Sequence, residues 1–235
     1  GAVAVAGSYA FVAGTYSHTL SVIDISQPTK LSLEGTYRDP DAMQFPTGIA
    51  VTGHFVCVVN SLGVALVIVD VSNPTQPEKY SVLEDAPSTH EARSIAIQGD
   101  YAYVASATPN ALSVVDLRDT RRPTLVAVVE RATADRASSV AVDGRFAYVS
   151  SAFSQALTVI DVGEPRTPVY VGTLKDTGSS TGIETVRVSG RVGLLLSSLS
   201  DAISVWELPY SSAAVSTARL PDAATLIASA KKMAR

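Results

Sequence analysis

The chain has 235 residues, of which 46% are hydrophobic and 17% are charged, and its formal net charge is −4 with a pI near 5.4. This composition predicts a packed globular protein, and the acidic balance argues against nucleic acid as a partner, because a phosphate backbone needs a broad basic field. No apolar run reaches the roughly 20 residues of a membrane-spanning helix, so we expect no membrane span and a soluble chain. The single cysteine, Cys57, excludes an intramolecular disulfide.

Five segments of the chain share one pattern of four predicted strands. In the third segment the first strand reads SIAI, a tight glycine turn follows, and the second strand reads AYVAS. The third strand is a β-branched phrase ending in an acidic residue, the fourth is weaker, and prolines mark a rigid loop between them. The turn glycines recur at intervals of 46, 46, 45 and 46 residues: Gly7, Gly53, Gly99, Gly144 and Gly190. The acidic residues keep the same intervals: Asp24, Asp70, Asp116, Asp161 and Glu207.

A four-stranded meander that repeats about every 46 residues is typical of β-propeller blades. The sequence therefore predicts an all-β protein of five four-stranded blades, with the propeller over residues 1–220. The predicted units are 1–47, 48–93, 94–138, 139–184 and 185–220. We expect the repeated aspartates to accept hydrogen bonds from turn N–H groups, because their recurrence in every blade points to the fold.

The fifth unit departs from the repeat. Arg187 stands where the other units have alanine, Trp206 replaces a β-branched residue, and Glu207 replaces aspartate. Atypical terminal repeats are expected where a blade caps an array or contacts something other than a sister blade. A closed five-bladed ring is favoured, and an arc or fragment of a larger propeller is the alternative.

A short amphipathic α-helix is predicted over residues 221–235. Asp222 is a good N-cap, and apolar residues that include Leu226, Ile227 and Met233 lie on one helical face. At about three turns the helix is marginal alone, so we expect it to dock on the propeller or on a partner.

The third strands carry a phrase that resembles a known repeat family. Residues 66–77 read LVIVDVSNPTQP, residues 21–28 read SVIDISQP, and residues 157–168 read LTVIDVGEPRTP. The chain resembles the LVIVD-repeat β-propellers, and more distantly the YVTN-like propellers, over roughly residues 1–210. The resemblance implies a secreted or cell-surface binding propeller without a shared catalytic signature, and nothing else in the sequence indicates a compartment. Familiar members look seven-bladed, whereas five units are visible here.

Candidate site residues lie in the loops that differ between blades. Loops from strand two to three, and from strand four to the next blade, open on one rim of a propeller. The binding candidates on this rim are His18, Asp39, Asp41, His90, Glu91, Arg93, Arg131, Asp135, Arg136 and Glu184. The partner-contact candidates are Arg187, Trp206, Leu226, Ile227 and Met233.

The sequence contains no catalytic motif of the nucleophile-elbow, Walker, HExxH or CxxC kind. The rim residues could form a divalent-ion site, with His90 and Glu91 joined by Asp39 or Asp41. A solvated polar loop is the better interpretation. We therefore expect no enzyme activity, no metal and no cofactor. The leading interpretation is a non-catalytic binding or scaffold propeller that contacts a protein partner in a larger assembly. The alternative is a carbohydrate-binding or hydrolytic propeller that uses rim carboxylates on a glycan.

Overall fold

Nineteen β-strands and no α-helix lie in the part of the chain that the structure describes. The computed structural model describes residues 1–83, 89–130, 132, 135–154, 156–175, 182–197 and 202–208. The strands form five antiparallel sheets, and within each sheet neighbouring strands are consecutive in the chain. The predicted repeat of four-stranded meanders is thus confirmed for four blades, and three strands of the fifth are described. The predicted helix at 221–235 lies outside the described residues.

The blades follow one another in chain order. The first blade contains β1 (Ala2–Ala6), β2 (Tyr9–Gly14), β3 (Thr19–Asp24) and β4 (Ser32–Arg38). The second contains β5 (Pro46–Thr52), β6 (Phe55–Asn60), β7 (Leu66–Asp70) and β8 (Glu78–Leu83). The third contains β9 (Ala92–Gln98), β10 (Tyr101–Ser106), β11 (Ala111–Asp116) and β12 (Thr124–Val129). The fourth contains β13 (Ala137–Asp143), β14 (Phe146–Ser151), β15 (Ala156–Asp161) and β16 (Val169–Lys175), and the fifth β17 (Ile183–Ser189), β18 (Val192–Ser197) and β19 (Ala202–Glu207).

Each blade begins with a hairpin whose turn requires glycine. All five turn glycines have φ of 57° or 58°, a backbone conformation that a side chain makes costly. The repeated glycine therefore sets the register of the first two strands in every blade. Alternation within the strands then decides which side chains meet the preceding blade and which meet the next.

Four apolar clusters fill the spaces between consecutive blades. The first blade contributes Phe11, Leu20 and Val22 to a cluster completed by valines of the second, such as Val56 and Val67. The other three clusters lie between the second and third, third and fourth, and fourth and fifth blades. The innermost strands β1, β5, β9, β13 and β17 each pack against the next in this order. Sheets covered on both faces explain why phrases such as LVIVD carry apolar side chains in succession.

The two outer faces of the array are apolar and exposed. In the fifth blade Leu194 pairs with Val205 and Leu196 with Ile203, and these side chains are 42% to 69% exposed together with Val192. We call these five residues the fifth end face. The first end face consists of Val3 and Val5 on β1 and Leu33 on β4, which are 60% or more exposed. The structure therefore does not show the closed five-bladed ring that the sequence favours, because closure would bury these two faces against each other.

The predicted role of the repeated aspartates in turns is confirmed by their hydrogen bonds. Asp24, Asp70, Asp116 and Asp161 each accept a hydrogen bond from the backbone N–H two residues further on, at 2.7 to 3.0 Å. The buried Asp116 also joins two blades, because it accepts from Arg118 and, at 2.8 Å, from Arg166 in the proline loop of the fourth blade. The Arg118 side chain, with smaller contributions from the Arg118 backbone and Arg166, lowers the pKa of Asp116 to about 2.

We expect the Asp116 carboxylate to make stability depend on pH in the acid range. Its pKa is lower in the folded than in the unfolded chain, so its contribution is present above about pH 4 and is lost as the pH falls towards 2. Because both arginines are more than half exposed, we expect about 1 to 2 kcal/mol from this group. The free energy of unfolding is measured by urea denaturation between pH 2.5 and 6, roughly the range over which Asp116 affects stability. The proteins compared are wild type, Asp116→Asn and the surface control Asp100→Asn. The Asp116→Asn protein should lose less stability with acid than the other two, and parallel profiles for all three would contradict the assignment.

Candidate functional site

The long loops meet on one rim, which we call the long-loop rim. The register places the start of β1 beside the end of β2, and the end of β4 beside the start of β3. Backbone hydrogen bonds tie the loops together, for example from Ser61 N to Phe45 O at 3.0 Å and from Ala107 N to Glu91 O at 3.0 Å. The structure thus brings the loops that differ between blades to one end of the blades.

Backbone strain is concentrated on this rim. Four described residues other than glycine have positive φ, and all four lie in its loops: His18, Phe45, Glu91 and Asn110, with φ between 48° and 64°. Residues with side chains adopt this conformation at a cost, and the surrounding structure must hold them there. The described parts of these loops are therefore held in defined shapes.

The site candidates of the first blade are held in a local network of hydrogen bonds. His18 Nδ1 lies 2.7 Å from the carbonyl oxygen of Met43. Asp39 accepts hydrogen bonds from Ala42 N at 2.9 Å and Tyr37 Oη at 2.7 Å, and from Lys79 Nζ at 2.9 Å. These donors, with the Ala42 N–H first, hold the pKa of Asp39 far below its usual range. These interactions give His18 and Asp39 a role in shaping the rim, while Asp41 is exposed beside them.

A second group of candidates stands together in the third and fourth blades. Glu91 Oε2 lies 3.7 Å from Arg93 Nη2 and 3.5 Å from Arg136 Nη2, and it accepts from Thr108 Oγ1 at 3.3 Å. The Arg136 guanidinium lies 5.8 Å from the ring centroid of Phe153, which is 60% exposed. We call Glu91, Arg93, Arg136 and Phe153 the mouth cluster. Phe153 was missed by sequence reasoning, although an aromatic residue in this loop, which only the first blade shares as Tyr16, was the available signal.

The mouth cluster opens into a central cavity of about 960 Å³. Residues from the innermost strands of all five blades line this cavity, as expected for blades that wrap about a common axis. The charged residues of the lining are Arg93, Arg136, Arg187 and Glu184, so arginine predominates in a protein of net charge −4. The cavity lining therefore carries more positive than negative side chains.

The remaining candidates are dispersed or belong to the core. His90 is exposed and Asp135 is half-buried on the rim, where the Asp135 carbonyl accepts from Ser151 Oγ. Trp206 is half-buried against the apolar cluster between the fourth and fifth blades, which gives it a packing role. Arg187 pairs across the sheet with Leu194, beside the fifth end face. Arg131, Leu226, Ile227 and Met233 lie outside the described residues.

The described residues offer no constellation for nucleophilic or metal chemistry. Burial raises the pKa of the Cys57 thiol to about 12, so the thiol stays protonated at neutral pH. Within the described ranges no three His, Cys, Asp or Glu side chains are placed to hold a metal ion. In those same ranges no helix is long and apolar enough to cross a membrane.

Comparison with known proteins identifies the repeat. The LVIVD repeat pattern matches residues 1–39, 47–83, 90–130 and 134–176, which together make up more than half of the chain. Among curated proteins, none matches the chain.

Many solved structures share the fold at low sequence identity. A protein from Lactobacillus plantarum superposes with a TM-score of 0.76 at 18% identity, over 92% of this chain and 69% of its own. The periplasmic gluconolactonase of Pseudomonas aeruginosa gives 0.72 at 14% identity, over 88% and 65%. The β-propeller domain of Cps50 (Swd1) from Myceliophteria thermophila gives 0.67 at 13% identity, over 88% and 69%. At these identities the similarity shows a propeller fold, and the chain spans about two thirds of the length of each structure.

Proposed function

Because the chain belongs to the LVIVD-repeat family and shares the fold of β-propellers, we propose that it is a non-catalytic binding propeller that docks a protein partner on its fifth end face. The fifth end face is the observation that carries this proposal. Its five apolar side chains lie on adjacent strands of one sheet, so they form a continuous surface. Contiguous exposed apolar surface of this kind marks interaction sites.

Comparison with the fourth blade supports docking of another sheet. The positions of Ile203, Leu194 and Val205 correspond in the repeat to Leu157, Tyr148 and Val159, which are 2% exposed or less. The fifth blade covers the face of the fourth at those positions. The fifth end face therefore has the composition of a blade interface, and we expect its partner to present an apolar β-sheet face.

The alternative occupant is the first end face, either of the same chain, which would close a five-bladed ring, or of a second copy. Arg187 argues against both. At this position the second, third and fourth blades have alanines that pack in the clusters between blades, and by the repeat Arg187 would face Val3 and Val5. Two valines would offer the Arg187 side chain no hydrogen-bond acceptor on that face. A separate protein with a polar group opposite Arg187 fits better.

Site-specific photo-crosslinking tests this proposal. A photoreactive residue placed at Leu194 or Ile203 of the full chain, in its native cells, should form an adduct with one recurring protein. The matched control is Leu62 on the long-loop rim, whose 53% exposure lies between that of Leu194 and that of Ile203, and which should not form that adduct. Purified partner should bind wild type and fail to bind Val205→Asp, because a carboxylate at the centre of an apolar interface costs about 2 kcal/mol or more. Adducts to the first end face, or equal adducts at Leu62, would contradict the proposal.

Carbohydrate binding or hydrolysis is the second candidate function. The mouth cluster and central cavity favour it, and a structural neighbour is named a gluconolactonase. Binding is better supported than hydrolysis, because Asp39 is held by four donors and Glu91 is paired with two arginines. A glycan array with a lactone hydrolysis assay tests this candidate, and Glu91→Gln should then change any signal.

A further inference from the structure

Arg93 and Arg136 of the central cavity take no part in docking on the fifth end face, and Arg187 lies where that face borders the cavity. Arg93 lies on β9, Arg136 immediately precedes β13, and Arg187 lies on β17, so three successive blades each contribute one arginine to the lining of the same cavity. At the opposite end of the blades lie the glycine turns and the proline loops, which we call the turn rim, and its arginines are placed differently. Arg118 and Arg145 are bound there to the aspartates that end β11 and β15.

We propose that the cavity binds a small carboxylate- or phosphate-bearing molecule, held at the mouth by Arg93 and Arg136 and further inside by Arg187. A guanidinium presents N–H groups in a fork that matches the two oxygens of a carboxylate or phosphate. The cavity of about 960 Å³ is in the size range of small-molecule sites. The mouth of this site, Arg93 and Arg136, does not depend on the protein partner proposed above.

Glu91 shows that the two mouth arginines accommodate a carboxylate. It lies between them at 3.5 and 3.7 Å, longer than the 2.7 to 2.9 Å or so of a strong charge-assisted hydrogen bond. All three side chains are 39% to 48% exposed, so water and solutes reach them. The Glu91 carboxylate is therefore held loosely and competes with a ligand for the two guanidinium groups. A ligand carboxylate that binds both guanidinium groups directly can displace it.

Arg187 extends the positive charge into the cavity. In the repeat Arg136 corresponds to Gly182, five positions before Arg187, so Arg187 lies on the order of 15 Å deeper along the strand direction. Its guanidinium donates from Nη1 to the carbonyl oxygen of Val186 at 2.9 Å, which uses one of its five donors. A ligand with two separated anionic groups would engage the mouth and the interior together.

Phe153 adds an apolar surface at the entrance. Its exposed ring lies against Arg136, so a ligand held by that guanidinium passes over the ring. We therefore expect molecules with a carbon frame, such as a sugar phosphate or a tricarboxylate, to bind more tightly than inorganic phosphate.

Isothermal titration calorimetry on the full chain tests the site. The probes are citrate, glucose 6-phosphate, inorganic phosphate and uncharged glucose. Comparing citrate with the two phosphates distinguishes recognition of a carboxylate from recognition of a phosphate. Arg136→Gln and Arg187→Gln should each weaken binding of the preferred anion about tenfold, as expected for loss of a hydrogen bond to a charged group. Arg122→Gln is the matched control, because it removes the same charge from an exposed arginine on the turn rim. Glu91→Gln should tighten binding about fivefold, because it removes the internal competitor.

The opposite signs of these effects make the test decisive. Weakening by Arg136→Gln together with tightening by Glu91→Gln supports the site, whichever anion is preferred. An equal loss in Arg122→Gln would show diffuse attraction by net charge and overturn the proposal. Absence of binding by all three anions at millimolar concentration, or binding of glucose as strong as that of glucose 6-phosphate, would also overturn it. These outcomes leave docking on the fifth end face unaffected, since that docking has its own crosslinking test.

Discussion

Aspartate in place of Val159 is expected to unfold the protein, whereas aspartate in place of Val205 is expected to leave it folded. The two valines occupy the same position of the repeat, on β15 of the fourth blade and β19 of the fifth. Val159 is 2% exposed in the cluster between these blades, while Val205 is 69% exposed on the fifth end face. Burying an unpaired carboxylate at Val159 should cost about 4 kcal/mol or more, a large part of the 5 to 15 kcal/mol or so that holds a domain folded.

Chemical denaturation followed by circular dichroism measures this difference. Val205→Asp should keep its unfolding free energy within about 0.5 kcal/mol of wild type, as surface substitutions do. A large loss of stability in Val205→Asp would mean that the fifth end face is covered in the isolated chain, for example by the first blade. That outcome would restore the closed ring and remove the docking surface.

Valine in place of Gly35 is expected to destabilise the protein by about 3 kcal/mol, because it would separate the first blade from the second. Gly35 is buried on β4, opposite Val22, and a Cβ there would lie 2.5 Å from the Pro74 carbonyl oxygen and 2.8 Å from Pro77 Cδ. These atoms belong to the proline loop of the second blade, which cannot yield as a flexible side chain would. The equivalent positions of the next three blades also hold small residues: Ser81, Ala127 and Gly172.

Thr36→Val is the matched control, since Thr36 is the next residue of β4 and is exposed. A β-branched residue suits an exposed strand position, so this change should be nearly neutral. The free energies of unfolding of both variants, measured in urea, decide the matter. Equal stability of Gly35→Val and Thr36→Val would show that the proline loop moves away at little cost.

The fold could be predicted from the sequence because the repeat supplies five independent copies of the same information. A glycine such as Gly99 and an aspartate such as Asp116 each have a local physical role, a turn with positive φ and an acceptor for turn N–H groups. Roles confined to a few residues are visible in sequence. Closure was not visible in this way, because it depends on the contact of two blades at opposite ends of the chain.

The site was predicted less well than the fold. Glu91, Arg93 and Arg136 were selected as polar residues in loops that differ between blades, and the structure places each arginine within 4 Å of Glu91. Selection by polarity also brought in His18 and Asp39, which serve the backbone of the first blade, and left out Phe153. A loop sequence does not show whether a polar side chain turns towards its own backbone or towards a cavity, because distant loops decide that direction.

The way each sheet is assembled also bears on how such proteins change over generations. Every described sheet draws its hydrogen-bonded ladder from one uninterrupted stretch of chain, and adjacent sheets meet through side chains and a few bonds such as that from Thr47 Oγ1 to Ala92 O. Recombination between equivalent points of two repeats would therefore add or delete a whole blade without cutting a ladder. Blade number is consequently a trait that tandem duplication can alter in one genetic event, while each surviving interface keeps its partners.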